Sequence, residues 1–259
     1  MAHVEKYTAH SVSTIIGHNN RSWAVSSNDD IDSNRSEQNY NLTPERNISE
    51  YGYYKQRMSE LYCYNRKDVV TSAAWVITLP EGVDDAERQQ EFFKRTYEFI
   101  ANRYGEENII QASVHRDEGR DVVTLDRWTS RLSTDDGGHV DVQRIGRDHM
   151  HVLFIPVTDD NNPRHIQKEK VCANDVLTRD DLRTWHDDLQ HYLDEHGLDD
   201  CRVRNGATVG QGLTVDQLKH ITDLEQDNIR LRSENTILHE RIVELERTHD
   251  NSIERSRWQ

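Results

Sequence analysis

Asp148-His149-Met150-His151-Val152-Leu153-Phe154-Ile155-Pro156-Val157 is the stretch on which the fold turns. From Met150 to Val157 it is the most apolar segment of the chain and reads as a strand. A period of two sends His149 and His151 to one face and Met150 to the other. Immediately upstream, Ile109–His115 is the preceding strand, and an antiparallel return brings His115 beside the His149/His151 pair. Residues 119–147 lie between the two as an insertion. In it, Val122–Trp128 and His139–Ile145 flank an Asp135-Asp136-Gly137-Gly138 turn, the pattern of a long β-hairpin.

Further outward the elements alternate. Residues 1–10 read as a strand, Ser13–Arg21 as a helix and Ser26–Asn34 as a polar loop. Thr43 followed by Pro44 predicts a helix start, with the helix running to about Tyr64. Val69–Leu79 is a buried strand ended by Pro80. Asp84–Tyr104 is an amphipathic helix with Phe92, Tyr97, Ile100 and Tyr104 near one face and Gly105 as its stop. Thr178 caps a last helix, Arg179–His196, which ends at Gly197. The economical architecture is two-layer α+β, helices packed on a mainly antiparallel sheet, over residues 1–205.

Residues 206–214, with Gly206, Gly210 and Gly212, form a joint, and 215–248 change to a heptad. Leu224, Leu231, Leu238 and Leu245 take the d positions, and Ile221, Asn228, Asn235 and Ile242 the a positions. Leu at d with Asn at a is the pattern of a parallel two-stranded coiled coil, here a homodimer. In that register Asp227 faces Arg232 of the second copy and Arg241 faces its Glu246. A lone helix packed on its own domain is the alternative, and 249–259 are a tail.

The 259 residues carry a formal charge of −15, which by itself argues against a nucleic-acid partner. The deficit lies entirely after residue 67. Residues 33–67 hold six Lys/Arg against four Asp/Glu, and with them Tyr40, Tyr51, Tyr53, Tyr54, Tyr62 and Tyr64. Basic residues interleaved with aromatics can stack unpaired bases, although about half of these tyrosines should be core. The acidic remainder fits a salt-loving host or an ordinary solvated surface equally well. Cys63, Cys172 and Cys201 suit neither a disulfide framework nor a zinc knuckle. With no apolar run long enough to span a bilayer and no secretory leader, a soluble, cytoplasmic setting is expected.

Two imidazoles on one strand face, with His115 beside them, can hold a divalent cation while leaving positions open for substrate. Nitrogen ligands suit manganese, zinc, nickel or cobalt better than calcium. Glu118 is close enough to act as a fourth ligand or to orient a nucleophile. Upstream, His18 and Arg21 share a helix face, an arrangement that suits phosphate positioning beside a nucleophile or proton donor.

Together these residues resemble the MobV group of plasmid mobilisation relaxases, also called Mob/Pre or plasmid recombination enzymes. His18-Asn19-Asn20-Arg21 matches the His-x-x-Arg motif. Asn39-Tyr40-Asn41-Leu42, preceded by Asn34-Arg35-Ser36, matches Asn-Tyr-(Asp/Glu)-Leu. His115-Arg116-Asp117-Glu118 and Asp148-His149-Met150-His151 match the paired third motif, and the agreement extends to about residue 200. The resemblance implies a histidine-hydrophobe-histidine endonuclease that nicks one DNA strand at a plasmid transfer origin, with manganese or magnesium as cofactor. It also implies single-stranded or supercoiled plasmid DNA as partner. His18 would attack the phosphate and form a covalent phosphoramidate to the 5′ end, with Glu118 accepting its proton. His115, His149 and His151 would bind the metal, Arg21 and Arg35 would hold flanking phosphates, and Asn39 and Tyr40 would add DNA contacts. The chain departs from the family in three places: the long excursion between His115 and His149, Asp148 in place of a proline, and Asn41 in place of an acidic residue. His139, inside the excursion, is a possible competing ligand. Two rival functions share these residues: a rolling-circle replication initiator with Tyr40 as nucleophile, and a non-catalytic DNA-binding dimer derived from a relaxase.

Overall fold

In the computed structural model the apolar stretch at 149–154 is the middle strand of a five-stranded antiparallel sheet. The structure describes residues 2–22, 31–80, 82–118 and 148–203. It also describes the backbone of 120–123 and 142–145 and thirteen residues between Asp227 and Leu245. In chain order the first unit contains β1 (Ala2–Thr8), α1 (Val12–Asn19), β2 (Tyr40–Asn41), α2 (Glu50–Glu60), β3 (Val70–Thr78), α3 (Ala86–Tyr104) and β4 (Ile109–His115). A stem follows, β5 (Arg120–Val123) and β6 (Val142–Ile145), which belongs to a second unit. The first unit then resumes with β7 (His149–Phe154), β8 (Val157–Asp159), β9 (Glu169–Val171), α4 (Ala173–Val176) and α5 (Arg179–Glu195). The sheet order is β1-β3-β7-β4-β2.

The alternation along β7 sorts the layers. Met150, Val152 and Phe154 join α3 (Phe92, Phe93, Tyr97, Ile100) and α5 (Trp185, Leu189, Leu193) in one core. Trp75 of β3 stacks on Trp185 there, with ring centroids 3.7 Å apart. Leu153 faces the other way, into a second core with Val12 and Ile16 of α1 and Tyr54 of α2. Helices therefore cover both faces of the sheet, making three layers where the sequence suggested two. The reason is β7 itself: an apolar strand at the centre of a sheet has two faces to bury.

Most boundaries agree with the sequence reading. Asp85 caps α3 by accepting from the Arg88 amide, Gly105 ends it at φ 87°, and Thr178 caps α5 by accepting from the Asp181 amide. The helix expected from Thr43-Pro44 is the correction. It begins only at Glu50, with the Ser49 hydroxyl accepting from the Gly52 amide, and it ends at Glu60. The Thr43 hydroxyl is instead bonded to the Asn41 side chain. Arg46 gives two 2.9 Å hydrogen bonds to the carbonyls of Ile109 and Ile110, so this segment runs along the open edge of β4. Edge carbonyls in need of donors override a local helix signal. The β8–β9 hairpin past Pro156 was not expected.

In the second unit β5 pairs antiparallel with β6, Arg120 opposite Ile145, as a hairpin stem should. The Asp135–Gly138 turn and His139 lie outside the described residues, as does the 206–214 joint. Between Asp227 and Leu245 the described residues are helical and exposed, among them Leu231, Leu238, Ile242 and Leu245. No helix among the described residues is long and apolar enough to cross a membrane.

Candidate active site

The site forms where β4 and β7 end side by side. Antiparallel register sets His115 opposite His149 and Ser113 opposite His151. All three imidazoles project to the α1 side of the sheet, with centroids 5.0–5.2 Å apart. Their ligand nitrogens lie within 4.8 Å of one another, a group that can hold a divalent ion.

The His115 tautomer follows from one hydrogen bond. Its Nε2 lies 2.9 Å from the Asn19 carbonyl, which can only accept, so Nε2 carries the proton and Nδ1 keeps a lone pair. That Nδ1 is buried without a hydrogen-bond partner. A buried lone pair left unpaired among two further imidazoles is what a metal ligand requires before its ion arrives. Burial first, then the Arg21 charge, pushes His115 down to about 4. His151 also falls well below its ordinary value, by burial and then by repulsion from the neighbouring histidines. Both are therefore neutral near pH ~7, the form that binds metals.

The last turn of α1 brings His18 to this cluster, 6.3 Å from the rings of both His115 and His151. Partial burial and the adjacent Arg21 lower its pKa, so it too is neutral near pH ~7. Anchoring behind it comes from α1's end: Asn19 donates to Gln111 of β4, and Gln111 donates to Asn20. Arg21, expected on the same helix face as His18, instead lies beyond the end of α1 at φ 53°, in a left-handed turn in which the Ser22 amide bonds the Gly17 carbonyl and the Arg21 amide bonds that of His18.

This turn returns the Arg21 guanidinium to Asp117, to which it gives a two-pronged bond of 2.9 and 2.7 Å, with a third bond of 2.7 Å to Glu118. Asp117 has no exposed side-chain surface and also accepts from Ser36 (2.8 Å) and Asn39 (2.7 Å). Burial alone would raise its pKa; the bonds from Arg21, Ser36 and Asn39 outweigh that and hold the carboxyl well below the usual range. Glu118 completes the link to the cluster, its oxygens 3.9 Å from His115 Nδ1 and 3.7 Å from His149 Nε2.

All of the expected site residues except Arg35 and Tyr40 are thus tied to the cluster or to the Asp117 knot. Asn39 joins two elements, donating to Asp117 and accepting from the Arg116 amide. Arg35 lies in the adjacent 3-10 turn, 3.5 Å from Gln38. Tyr40 pairs with Val114 and packs into the α3/α5 core, on the face of the sheet opposite the histidines. Burial raises its pKa, which is the wrong direction for a nucleophile. Asn41, where an acidic residue was expected, ties the chain to Thr43 and the Ala112 amide. The sequence reading gave no role to Asp117, Ser36 or Gln111. Asp117 and Ser36 stood inside the matched motif stretches without a role of their own, whereas Gln111 carried no signal.

Fold and site define an antiparallel α+β domain built around a three-imidazole centre with a fourth, exposed histidine beside it. The chain belongs to the plasmid recombination enzyme family (Mob_Pre), whose model matches residues 1–211. It is 28% identical to a plasmid recombination enzyme of Bacillus thuringiensis, over 93% of this chain and 47% of that one. It is 27% identical to one of Streptococcus agalactiae, over 87% and 40%. The chain thus spans about half the length of the curated relatives it matches. Among solved structures, the manganese-bound MobM relaxase domain with plasmid pMV158 oriT DNA at pH 6.8 superimposes with a TM-score of 0.62. That match is 26% identical and covers 85% of this chain and 97% of the relaxase domain.

Proposed function

We propose that this protein is a relaxase: it nicks one DNA strand at a plasmid transfer origin and stays joined to the 5′ end through His18, for mobilisation or recombination of the plasmid. The observation that carries the reading is a neutral, solvent-accessible His18 set 6.3 Å from two rings of a metal-competent trio. The manganese and oriT DNA in the related MobM structure support it.

His115, His149 and His151 would hold a divalent ion, manganese by preference. Once bound, that ion would polarise the scissile phosphate and offset charge in the transition state. One ring nitrogen of His18 forms the phosphorus–nitrogen bond as the bond from phosphorus to the 3′ oxygen breaks. The proton on the other ring nitrogen passes to Glu118, and the departing 3′ oxygen takes its proton from water. Retaining the phosphoryl group on the protein keeps the step reversible, so a 3′-hydroxyl can later reseal the strand. Arg21, bound to Asp117 and Glu118, sets the position of Glu118 and offsets the charge of the two carboxylates beside the phosphate site, so its guanidinium is engaged within the protein rather than left for a flanking phosphate. Arg35 and Asn39 would contact flanking DNA.

The test is nicking of supercoiled plasmid carrying the native origin, with Mn2+, comparing wild type and His18→Ala. Protein attached to the 5′ end in wild type and absent in the variant supports the reading; equal cutting by both refutes His18 as nucleophile. We place homodimerisation in the C-terminal heptads, supported by the exposure of Leu231, Leu238, Ile242 and Leu245. Leu238→Asp should convert a dimer to a monomer in light scattering, and a wild-type monomer rejects this assignment.

A further inference from the structure

Strands β4 and β7 supply all three clustered histidines, yet 31 residues, 117 to 147, separate Arg116 from Asp148. A two-residue turn would fix the register of such a pair by its own geometry; here residues 116–119 and 146–148 part the ladder from the β5–β6 stem, so its last pair needs a local anchor. The final ladder pair is His115 with His149. The next position along is held by side chains instead: Arg116 Nε donates to Asp148 Oδ2 at 2.8 Å. Both residues are also fixed through their backbones. The Arg116 amide donates to Asn39 (2.7 Å), and the Asp148 carbonyl accepts from the Leu79 amide of the β3 side (2.8 Å). Gln89 of α3 accepts from the same guanidinium at 3.3 Å. Alternation along the strands turns Arg116 and Asp148 away from the histidine face, so the pair lies behind the cluster, on the α3 side of the sheet.

We propose that Arg116 and Asp148 are positioning residues, an ionic staple that holds His115 and His149 in metal-binding register across the excursion. The proposal rests on the metal reading above. A slip of two residues would keep the face and still form a ladder, but it would break the histidine set. The staple opposes that slip because only in the observed register do the two charges meet, with Asn39 and Leu79 satisfied at the same time.

The experiment measures Mn2+ affinity by calorimetry on the full chain for wild type, Arg116→Ala, Asp148→Ala and the swapped pair Arg116→Asp/Asp148→Arg. Each single change should weaken Mn2+ binding about tenfold, in the range seen for groups that orient metal ligands, and the swap should recover most of that loss. Unchanged affinity in the singles, or a swap no better than their sum, overturns the staple. Arg116→Lys and Asp148→Glu serve where an alanine variant fails to fold, and they should bind within a few-fold of wild type. Hydrogen exchange in peptides spanning 109–115 and 149–154 reads the register without metal and should speed up in both singles. A wild type that binds no Mn2+ defeats the metal reading, and exchange rates equal to wild type in that protein defeat the staple as well.

Discussion

Replacing Asp117 by Asn removes one charge from the knot under His18 and leaves its shape. In the native protein the carboxylate is fully buried against an Arg21 side chain only 9% exposed. Removing one partner of a buried pair typically costs about 3–5 kcal/mol, because the other charge stays behind uncompensated. Glu118 still accepts from Arg21 at 2.7 Å, which places the cost near the lower bound, about 3 kcal/mol. In a domain of this size that corresponds to a fall in Tm of about 6–12 °C near pH ~7. The sign with pH is fixed by direction. The folded carboxyl titrates below its unfolded value of about 3.9, so its stabilisation is complete above that value and is lost as pH falls below it. The gap between wild type and Asp117→Asn should therefore be full at neutral pH and close below pH ~4. Differential scanning calorimetry across this range measures both. A neutral-pH Tm within about 2 °C of wild type, or a gap that does not shrink in acid, refutes the argument that Asp117 is the charged anchor of this knot.

Three further outcomes follow from the geometry. Tyr40→Phe should leave nicking intact, since the ring lies on the α3/α5 face; loss of the covalent DNA adduct in a gel assay would restore the tyrosine-nucleophile reading. Mn2+ at a hundredfold excess over its Kd should stabilise the protein by about 2.7 kcal/mol. His151→Ala should abolish the resulting rise in Tm, and an undiminished rise would place the ion elsewhere. Without metal, stability should decline as pH falls from about 6.5 towards about 4, because the unfolded chain takes up protons that buried His115 refuses. His115→Gln keeps a donor for the Asn19 carbonyl and should flatten that slope; urea titrations with identical slopes would count against a neutral, buried His115.

What the sequence made legible was local or periodic. Alternation at 149–154 located the central strand and sorted its histidines from Met150, while Gly105 marked the end of α3 and Thr178 the start of α5. The trio was readable because a simple antiparallel return suffices to bring His115 beside His149. Arg46 was not readable, because its carbonyl partners at Ile109 and Ile110 lie some sixty positions away and only the folded edge creates the demand for donors. Pro44 therefore suggested a helix the tertiary structure overrides. The role of Asp117, a residue visible in its motif, was hidden for the same reason: Arg21, Ser36 and Asn39 converge on it from 78 to 96 residues upstream. The helical layers failed differently. An amphipathic helix shows that it covers a sheet but not which side, so α1 and α2 could not be assigned to the face opposite α3 and α5.

The left-handed turn at Arg21 carries a cost in mutational freedom. At φ 53° glycine is the comfortable occupant, and arginine holds the position at roughly 1 kcal/mol of backbone strain or more. Glycine there would relax the turn and abandon Asp117, still buried and now without its guanidinium. Asparagine tolerates the conformation but is too short to reach. Lysine reaches with a single ammonium where the fork meets two carboxylates. Each replacement thus repairs one requirement and breaks another, so position 21 offers drift almost no neutral path, and the helix carrying His18 is tethered to a residue that selection has little room to change.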